Sequence, residues 1–377
     1  MGRRSRRAQP ESATDRAVTP RLRGALRRRL LAWYRANRRD LPWRRTREPY
    51  AIWISEAMLQ QTRVETVIPY WQRFLARFPD VEALATAGVD DVTALWAGLG
   101  YYSRARNLHR AAQVVMERHA GRLPDDVEAL RELPGVGRYT AGALASIAFD
   151  KPAPVVDGNV ARVLTRLFAI DADVGSRAVQ ERLWSEAEQL ARGDEPGALN
   201  QALMELGATV CTPRAPRCAE CPWSAQCAAH AQGRAESLPV KARPAPARRL
   251  EAVAGFLVRH DRVLAVRRPQ RGLLGGLWEL PGGELRGGEA PDRALARALR
   301  EGVGLGIRAP EPLGAIEHAF THRLLRLHIF RGSAGAGRVR RAGWEAHRWV
   351  SAAGLAALPL GGPTRKALAR LETAAQP

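Results

Sequence analysis

No stretch of this 377-residue chain approaches the roughly 20 consecutive apolar residues that a membrane-spanning helix needs. The Arg-rich start is not followed by the apolar core of a secretory signal, so a soluble, intracellular protein is expected. Cysteine is scarce: Cys211, Cys218, Cys221 and Cys227 sit in one short segment, and none remains for a scattered disulfide framework. Two disulfides are the ordinary alternative, but the spacing C-x6-C-x2-C-x5-C in a basic chain without a secretory signal reads as a metal or cluster site. Four thiolates satisfy tetrahedral zinc or a 4Fe-4S cluster, and ligand softness does not separate the two. Acidic residues are outnumbered, 38 against 59 Lys and Arg, for a formal net charge of +21. That excess points to a polyanionic partner, nucleic acid ahead of an anionic membrane surface, although arginines that merely solvate exposed faces would give the same total. There is no internal repeat.

A chain of this length exceeds what one core comfortably serves, so two domains are expected. Residues 1–20 are polar, Arg-rich and interrupted by proline, which suits a disordered basic tail. Over residues 21–232 apolar side chains recur at helical spacing, as in Val64, Val67, Ile68 and Trp71, and prolines 79, 134, 152 and 196 divide the region into short helices. Residues 233–250, with the Pro- and Arg-rich run LPVKARPAPARR, read as a linker. From residue 251 to 372 the pattern changes. EAVAGFLVRHDRVLAVRRP offers two apolar runs around a His-Asp turn, a β-hairpin that would open an α+β domain.

Within the helical region, LPGVGRYTAG lies between two helical stretches, so residues 125–150 read as a helix-hairpin-helix; a bare PGVG would suit an ordinary helix–helix turn, but its flanking residues and the positive charge favour the DNA-binding form. Gly135 and Gly137 would let the backbone turn tightly and approach a phosphate, which the free N–H groups of the next helix would hold. About 20 residues on, VVDGNVARV places Asp157 and Asn159 just before another helix; alone, that aspartate reads as an N-cap. Glu56 stands among Trp53, Ile54, Met58 and Leu59, and burial beside them would raise its pKa and make it an acid near neutral pH.

Together, LPGVGRYTAG, VVDGNV and the four-cysteine spacing resemble the endonuclease-III-like superfamily of DNA glycosylases. The stretches LPWRRTREPYAIWISEAMLQQT and GLGYYSRARNLHRAA further resemble the MutY-type adenine DNA glycosylases. The resemblance implies an all-α helix-hairpin-helix glycosylase domain holding a 4Fe-4S cluster on the cysteines of residues 211–227. It favours the cluster over zinc and gives it a structural and DNA-binding role, with Arg214 and Arg217 in its loop meeting the phosphate backbone. Strand-cleaving relatives carry a lysine where this chain has Tyr139, and a tyrosine forms no imine, so a monofunctional enzyme is expected. By the same resemblance Glu56 protonates N7 of adenine and Asp157 stabilises, or bonds to, the cationic sugar. Tyr139 and Asn159 hold the two carboxyl groups, and Gln201 contacts the adenine edge. Gln61 and Tyr101 fill the opened duplex as wedges, while Thr62 and Arg44 contact the strand or the opposing purine.

The C-terminal region resembles a Nudix fold, yet aligning its box on Gly283 and Glu289 puts Ala298 and Gly302 where two glutamates should hold magnesium. A Nudix shape without its metal box is what adenine glycosylases use to inspect 8-oxoguanine. The loop implied to touch that base is Phe320, Thr321 and His322, with threonine in place of the commoner serine. The implied partner is double-stranded DNA with adenine opposite 8-oxoguanine or guanine, bound by a monomer in a bacterial cytoplasm at the nucleoid, with no membrane involved. A nucleotide pyrophosphohydrolase, a non-catalytic DNA-binding module and a thymine-removing relative are the competing readings. The missing glutamates, the two carboxylates and the residues around Glu56 respectively argue against them.

Overall fold

The computed structural model describes residues 19–242, 247–270, 272–320 and 323–374. Of the tail expected over residues 1–20, the first 18 lie outside the described residues; Thr19 caps the first helix and Pro20 begins it. By its contacts the chain falls into two compact units, Met1–Ala85 with Arg110–Arg243 and Thr86–His109 with Pro244–Pro377.

The described helices of the N-terminal part are α1 (Pro20–Asn37), α2 (Pro49–Leu59), α3 (Val64–Arg77), α4 (Val81–Thr86), α5 (Val89–Leu95), α6 (Ser103–His119), α7 (Val127–Glu132), α8 (Arg138–Ile147), α9 (Gly158–Leu167), α10 (Arg177–Ala191), α11 (Pro196–Thr209) and α12 (Ala228–Ala231). Of these, α5 and the first turns of α6 cluster with the second unit. Leu26, Leu30 and Tyr34 recur along one stripe of α1 and pack with Val160 and Leu164 of α9, Leu183 of α10 and Leu203 of α11 in one core. Each such leucine contributes about 2 kcal/mol through the area it removes from water. Trp223, 1% exposed, joins the core from the cysteine segment and donates its indole N–H to the Leu26 carbonyl at 2.9 Å. That contact ties the segment to α1.

Helices α2 and α11 are enclosed along most of their length. In α2, Ile52, Trp53, Ile54 and Met58 are at most 2% exposed. A helix apolar all round is buried all round, so whatever polar group it carries is enclosed with it. In α11, Gly207 permits a close crossing: a Cβ there would stand 2.6 Å from Cβ of Asn159 and 2.9 Å from its carbonyl oxygen. Any larger residue would push α11 off the start of α9.

The second unit carries β1 (Arg248–Arg259), β2 (Arg262–Arg267), β3 (Trp278–Glu279), β4 (Gly282–Glu284), α13 (Pro291–Val303), β5 (Ile307–Phe320), β6 (Arg323–Ala334), β7 (Ala346–Val350), α14 (Ala352–Ala357) and α15 (Gly362–Ala374). Its sheet runs β3-β2-β1-β6-β5, with β4 also pairing β1 and β7 pairing β2. The sheet is mixed, because β1 pairs β6 in parallel and β2 antiparallel. The anticipated hairpin is β1–β2: Arg259 faces Arg262 across His260 (φ 48°) and Asp261 (φ 57°), the two left-handed residues of a tight two-residue turn. Alternate side chains of β1 enter different clusters, Ala254 and Phe256 on one face and Val253 and Leu257 on the other. The strand is therefore covered on both sides, which is why it reads as an apolar run.

Candidate active site

One cavity of about 710 Å³ opens in the first unit, and its wall includes Glu56, Tyr139, Asp157 and Asn159. Glu56 arrives on the enclosed helix α2 and is 5% exposed. Burial, reinforced by the charge of Asp157, pushes its carboxyl up to about 7 against the opposing hydrogen bond from Tyr139 and the charge of Arg44. The Tyr139 hydroxyl donates to Glu56 Oε2 at 2.9 Å and lies 3.2 Å from the Met204 sulfur. Burial and the two carboxylates hold Tyr139 well above the ordinary phenol range, so it stays a donor.

Asp157 caps α9, its Oδ1 accepting from the Val160 N–H at 2.7 Å, while the Asn159 amide donates to Oδ2 at 2.9 Å. It is both the ordinary cap and a cavity residue. Burial raises its pKa and these two donors oppose the rise. Asn159 is oriented in turn, since its Oδ1 accepts from Arg162 Nη2 at 2.9 Å and leaves only the amide N–H to face Asp157. Arg162 also donates to the carbonyls of Gly207 and Cys211, each at 2.7 Å. A continuous set of hydrogen bonds therefore runs from the Asp157 carboxylate to the backbone of the cysteine segment.

The hairpin meets the same cavity. Gly135 has φ 80°, a left-handed conformation that favours glycine. Gly137 precedes α8 with no side chain capping the helix and open space where a Cβ would be. Free N–H groups at that end are placed for an anion. Arg44, Gln61, Thr62 and Gln201 also line the wall. Tyr101 is 49% exposed on the segment that clusters with the second unit.

One feature of this wall has no signature in the sequence. Glu205, wholly buried on α11, accepts from the Arg39 backbone N–H at 3.0 Å, from Arg39 Nε and Nη2 at 2.8 and 2.9 Å, and from Arg44 Nη2 at 2.8 Å. Burial alone would raise its pKa, but these donors outweigh it and hold the carboxylate at about 2. The guanidinium of Arg44 also lies over the Tyr34 ring, and the Tyr34 hydroxyl donates to Gln201 at 3.3 Å. Arg44 and Gln201 are thus held by one buried network.

Cys211, Cys218, Cys221 and Cys227 surround a second, small cavity together with Arg166. Among the described residues no three His, Cys, Asp or Glu side chains are grouped closely enough to hold one metal ion. Arg166 is 1% exposed and approaches the Cys211 sulfur at 3.3 Å while donating to the carbonyls of Leu238, Thr212 and Pro213. A buried guanidinium beside four thiols suits an anionic group bound by thiolates.

Residues 54–189 match the family described as HhH-GPD superfamily base excision DNA repair protein, and residues 253–370 match the NUDIX domain. The adenine DNA glycosylase of Rattus norvegicus is 41% identical over 361 residues, which cover 81% of this chain and 70% of that protein. The chain belongs to the adenine DNA glycosylase family. The Mus musculus adenine DNA glycosylase is likewise 41% identical over 362 residues. Among solved structures, a thermostable thymine-DNA glycosylase is 31% identical with a TM-score of 0.51, covering 57% of this chain and all of that one. The protein is accordingly a DNA glycosylase of base excision repair, with DNA as its partner, and no described helix is long and apolar enough to cross a membrane.

In the glycosylase's Nudix-like unit, the surviving carboxylates of the box are taken up by arginines. Arg297 pairs with Glu289 at 2.7 Å and with Glu301 at 3.2 Å, and Arg286 pairs with Glu301 at 3.0 Å. The hydrogen bond from Arg297 holds Glu289 at about 2. With Ala298 and Gly302 at the other two positions, the groove presents cations where a metal would need anions. Phosphate release from nucleoside triphosphates in magnesium buffer is expected to stay at the blank rate; turnover above it would show a working hydrolase. Phe320 ends β5 with its ring 4.6 Å from that of His318. Thr321 and His322 lie outside the described residues.

Proposed function

We propose that this glycosylase removes adenine opposite 8-oxoguanine or guanine in double-stranded DNA, and that it does so without cutting the strand. The observation that carries the reading is Glu56, a carboxyl near neutral pKa, held by Tyr139 in a cavity it shares with Asp157. Adenine leaves poorly as an anion. Protonation of its N7 by Glu56 lets the bond from the sugar carbon to N9 break with the electron pair going to a neutral base. Positive charge then develops on the sugar, and the Asp157 carboxylate, which accepts from Val160 and Asn159, meets it. Water completes the sugar, directly or after a bond to Asp157 has formed and broken.

The base must leave the stack to reach this cavity, at a cost of roughly a few kcal/mol that a mispair lowers. Gln61, exposed at φ 58°, and Tyr101, exposed at φ 48°, are the side chains assigned to the gap. Gln201 meets the edge of the extruded adenine, and Thr62 and Arg44 contact the strand or the opposing purine. The loop from Phe320 through Thr321 and His322 reads the oxidised purine, by resemblance to the family. Tyr139 offers no amine, so no imine forms and the abasic strand stays intact.

Cys211, Cys218, Cys221 and Cys227 fit a 4Fe-4S cluster as its four ligands, with Arg166 offsetting its negative charge. Such a cluster supplies structural order to the loop of Arg214 and Arg217, which then meets phosphates. The protein works as a monomer on this reading.

A duplex with adenine opposite 8-oxoguanine tests the assignment. Incubation with the protein should leave the strand whole until hot alkali is added, and then cut it at the adenine. Cleavage before alkali would overturn the monofunctional reading, and no cleavage after it would overturn adenine removal.

A further inference from the structure

The segment between α5 and α6 exposes Tyr101 on a backbone that would not hold that shape unaided. Gly98 (φ 110°), Gly100 (φ 72°) and Tyr101 (φ 48°) are all left-handed, and for tyrosine that conformation carries a steric cost. Three residues on, in the first turn of α6, stands Arg104. Its guanidinium carbon is 5.3 Å from the centroid of the Trp96 ring and 5.7 Å from that of Tyr101. In the plane of the same group, Nη2 donates to the carbonyls of Leu99 at 3.1 Å and Gly100 at 3.2 Å. Trp96 is wholly buried and donates its own N–H to the Gly100 carbonyl at 3.2 Å.

We infer that Arg104 is a positioning residue for the wedge: it fixes the Tyr101 ring and its strained loop in the shape that enters the duplex. The inference rests on the wedge reading of Tyr101. Arginine suits the task because its flat cation stacks on aromatic faces while its edge donates to carbonyls, two contacts that lysine's single ammonium cannot combine. Holding the ring before DNA arrives removes an ordering cost that would otherwise fall on base extrusion. Trp96 is the fixed floor of the arrangement, and burial lowers the Arg104 pKa only to about 10, so it remains a cation at working pH.

The test is a double-mutant cycle in the full chain, with Arg104→Met, Arg104→Lys and Tyr101→Leu alone and combined. Two readouts are taken on a duplex with adenine opposite 8-oxoguanine and 2-aminopurine beside it: the fluorescence rise as the stack opens, and the single-turnover excision rate. Arg104→Met is expected to lower both about five- to tenfold, the scale of a partly exposed cation–π contact, with Arg104→Lys intermediate. In the Tyr101→Leu background either substitution should change them less than about twofold, since the side chain they act through is already gone. Equal losses in both backgrounds would overturn the inference and leave Arg104 a fold-holding residue. If Arg104→Met does not fold, the Arg104→Lys cycle decides on the same criterion. A Tyr101→Leu protein that opens the stack normally would remove the wedge reading itself, and the inference with it.

Discussion

Replacing Glu56 by glutamine should slow adenine excision by between about 10² and 10⁴, the usual range for loss of a general acid, with DNA affinity nearly unchanged. Glutamine matches the shape of the side chain and can still accept from Tyr139, but it has no proton to give. The wild-type pH profile should show the same group. With a pKa near 7, Glu56 is protonated below neutrality and loses its proton above it. Excision should therefore be flat on the acid side of 7 and fall about tenfold per pH unit on the alkaline side. The stability change should run the other way. A carboxyl whose pKa is raised by burial destabilises the fold once ionised, so from about pH 4.5 upward Glu56 lowers stability and Glu56→Gln relieves it. Single-turnover rates and thermal melting of both proteins from pH 5 to 9 measure this. A variant that excises at the wild-type rate, or a wild-type profile that rises through 7, would remove Glu56 from the chemistry.

Glu205→Gln should cost about 3–5 kcal/mol of stability, because it leaves Arg39 and Arg44 facing a neutral group at a buried site. Glutamine would also present an N–H toward guanidinium donors. The loss should depend on pH in a stated sense. The folded carboxyl is depressed to about 2 from an ordinary 4.5, so its contribution is complete above 4.5 and disappears as pH falls from there toward 2. Urea unfolding of both proteins at pH 7 and pH 3.5 reads it: the gap should be large at 7 and smaller at 3.5. Excision should fall together with stability, since Arg44 and, through Tyr34, Gln201 depend on this carboxylate for their place on the wall. An equal gap at both pH values would mean that the carboxylate is not what holds the two arginines.

How much of this could be read from the chain depends on how far apart the partners lie in it. Asp157 and Asn159 are two residues apart, the hairpin glycines are in one decapeptide, and the cysteines are in one segment. Such groups keep their meaning as strings. Glu56 was legible for a different reason, because apolar neighbours on every side of α2 announce burial whatever the fold. Glu205 carried no comparable signal: MELGAT reads as a helix with one solvated acid, and its partners Arg39 and Arg44 are 166 and 161 residues away. Arg162 and Arg166 are equally silent in the string. Four apart on a helix, they suggest a charged outer face, yet α9 is buried from Val160 to Leu167, and both guanidiniums are enclosed by carbonyls of the cysteine segment. Long-range satisfaction of a buried charge is a tertiary fact that local pattern does not encode.

The segment Thr86–His109 falls inside the stretch that matches the glycosylase family, yet its contacts group it with the Nudix-like unit. Tyr102, 9% exposed, donates to the Leu360 carbonyl at 3.4 Å, and Asp90 receives Arg267 at 3.0 Å. The boundary between homologous modules and the boundary between compact units are therefore different lines. A glycosylase trimmed at residue 243 would keep Glu56, Tyr139, Asp157 and Asn159 and lose the partners of Tyr102 and Asp90. Swapping the C-terminal region for that of a relative would exchange more than a Nudix-like domain, because the replacement would have to accept Tyr102 and Asp90 as its own. Tyr102 and Asp90 are therefore two residues that any chimera of this enzyme has to match.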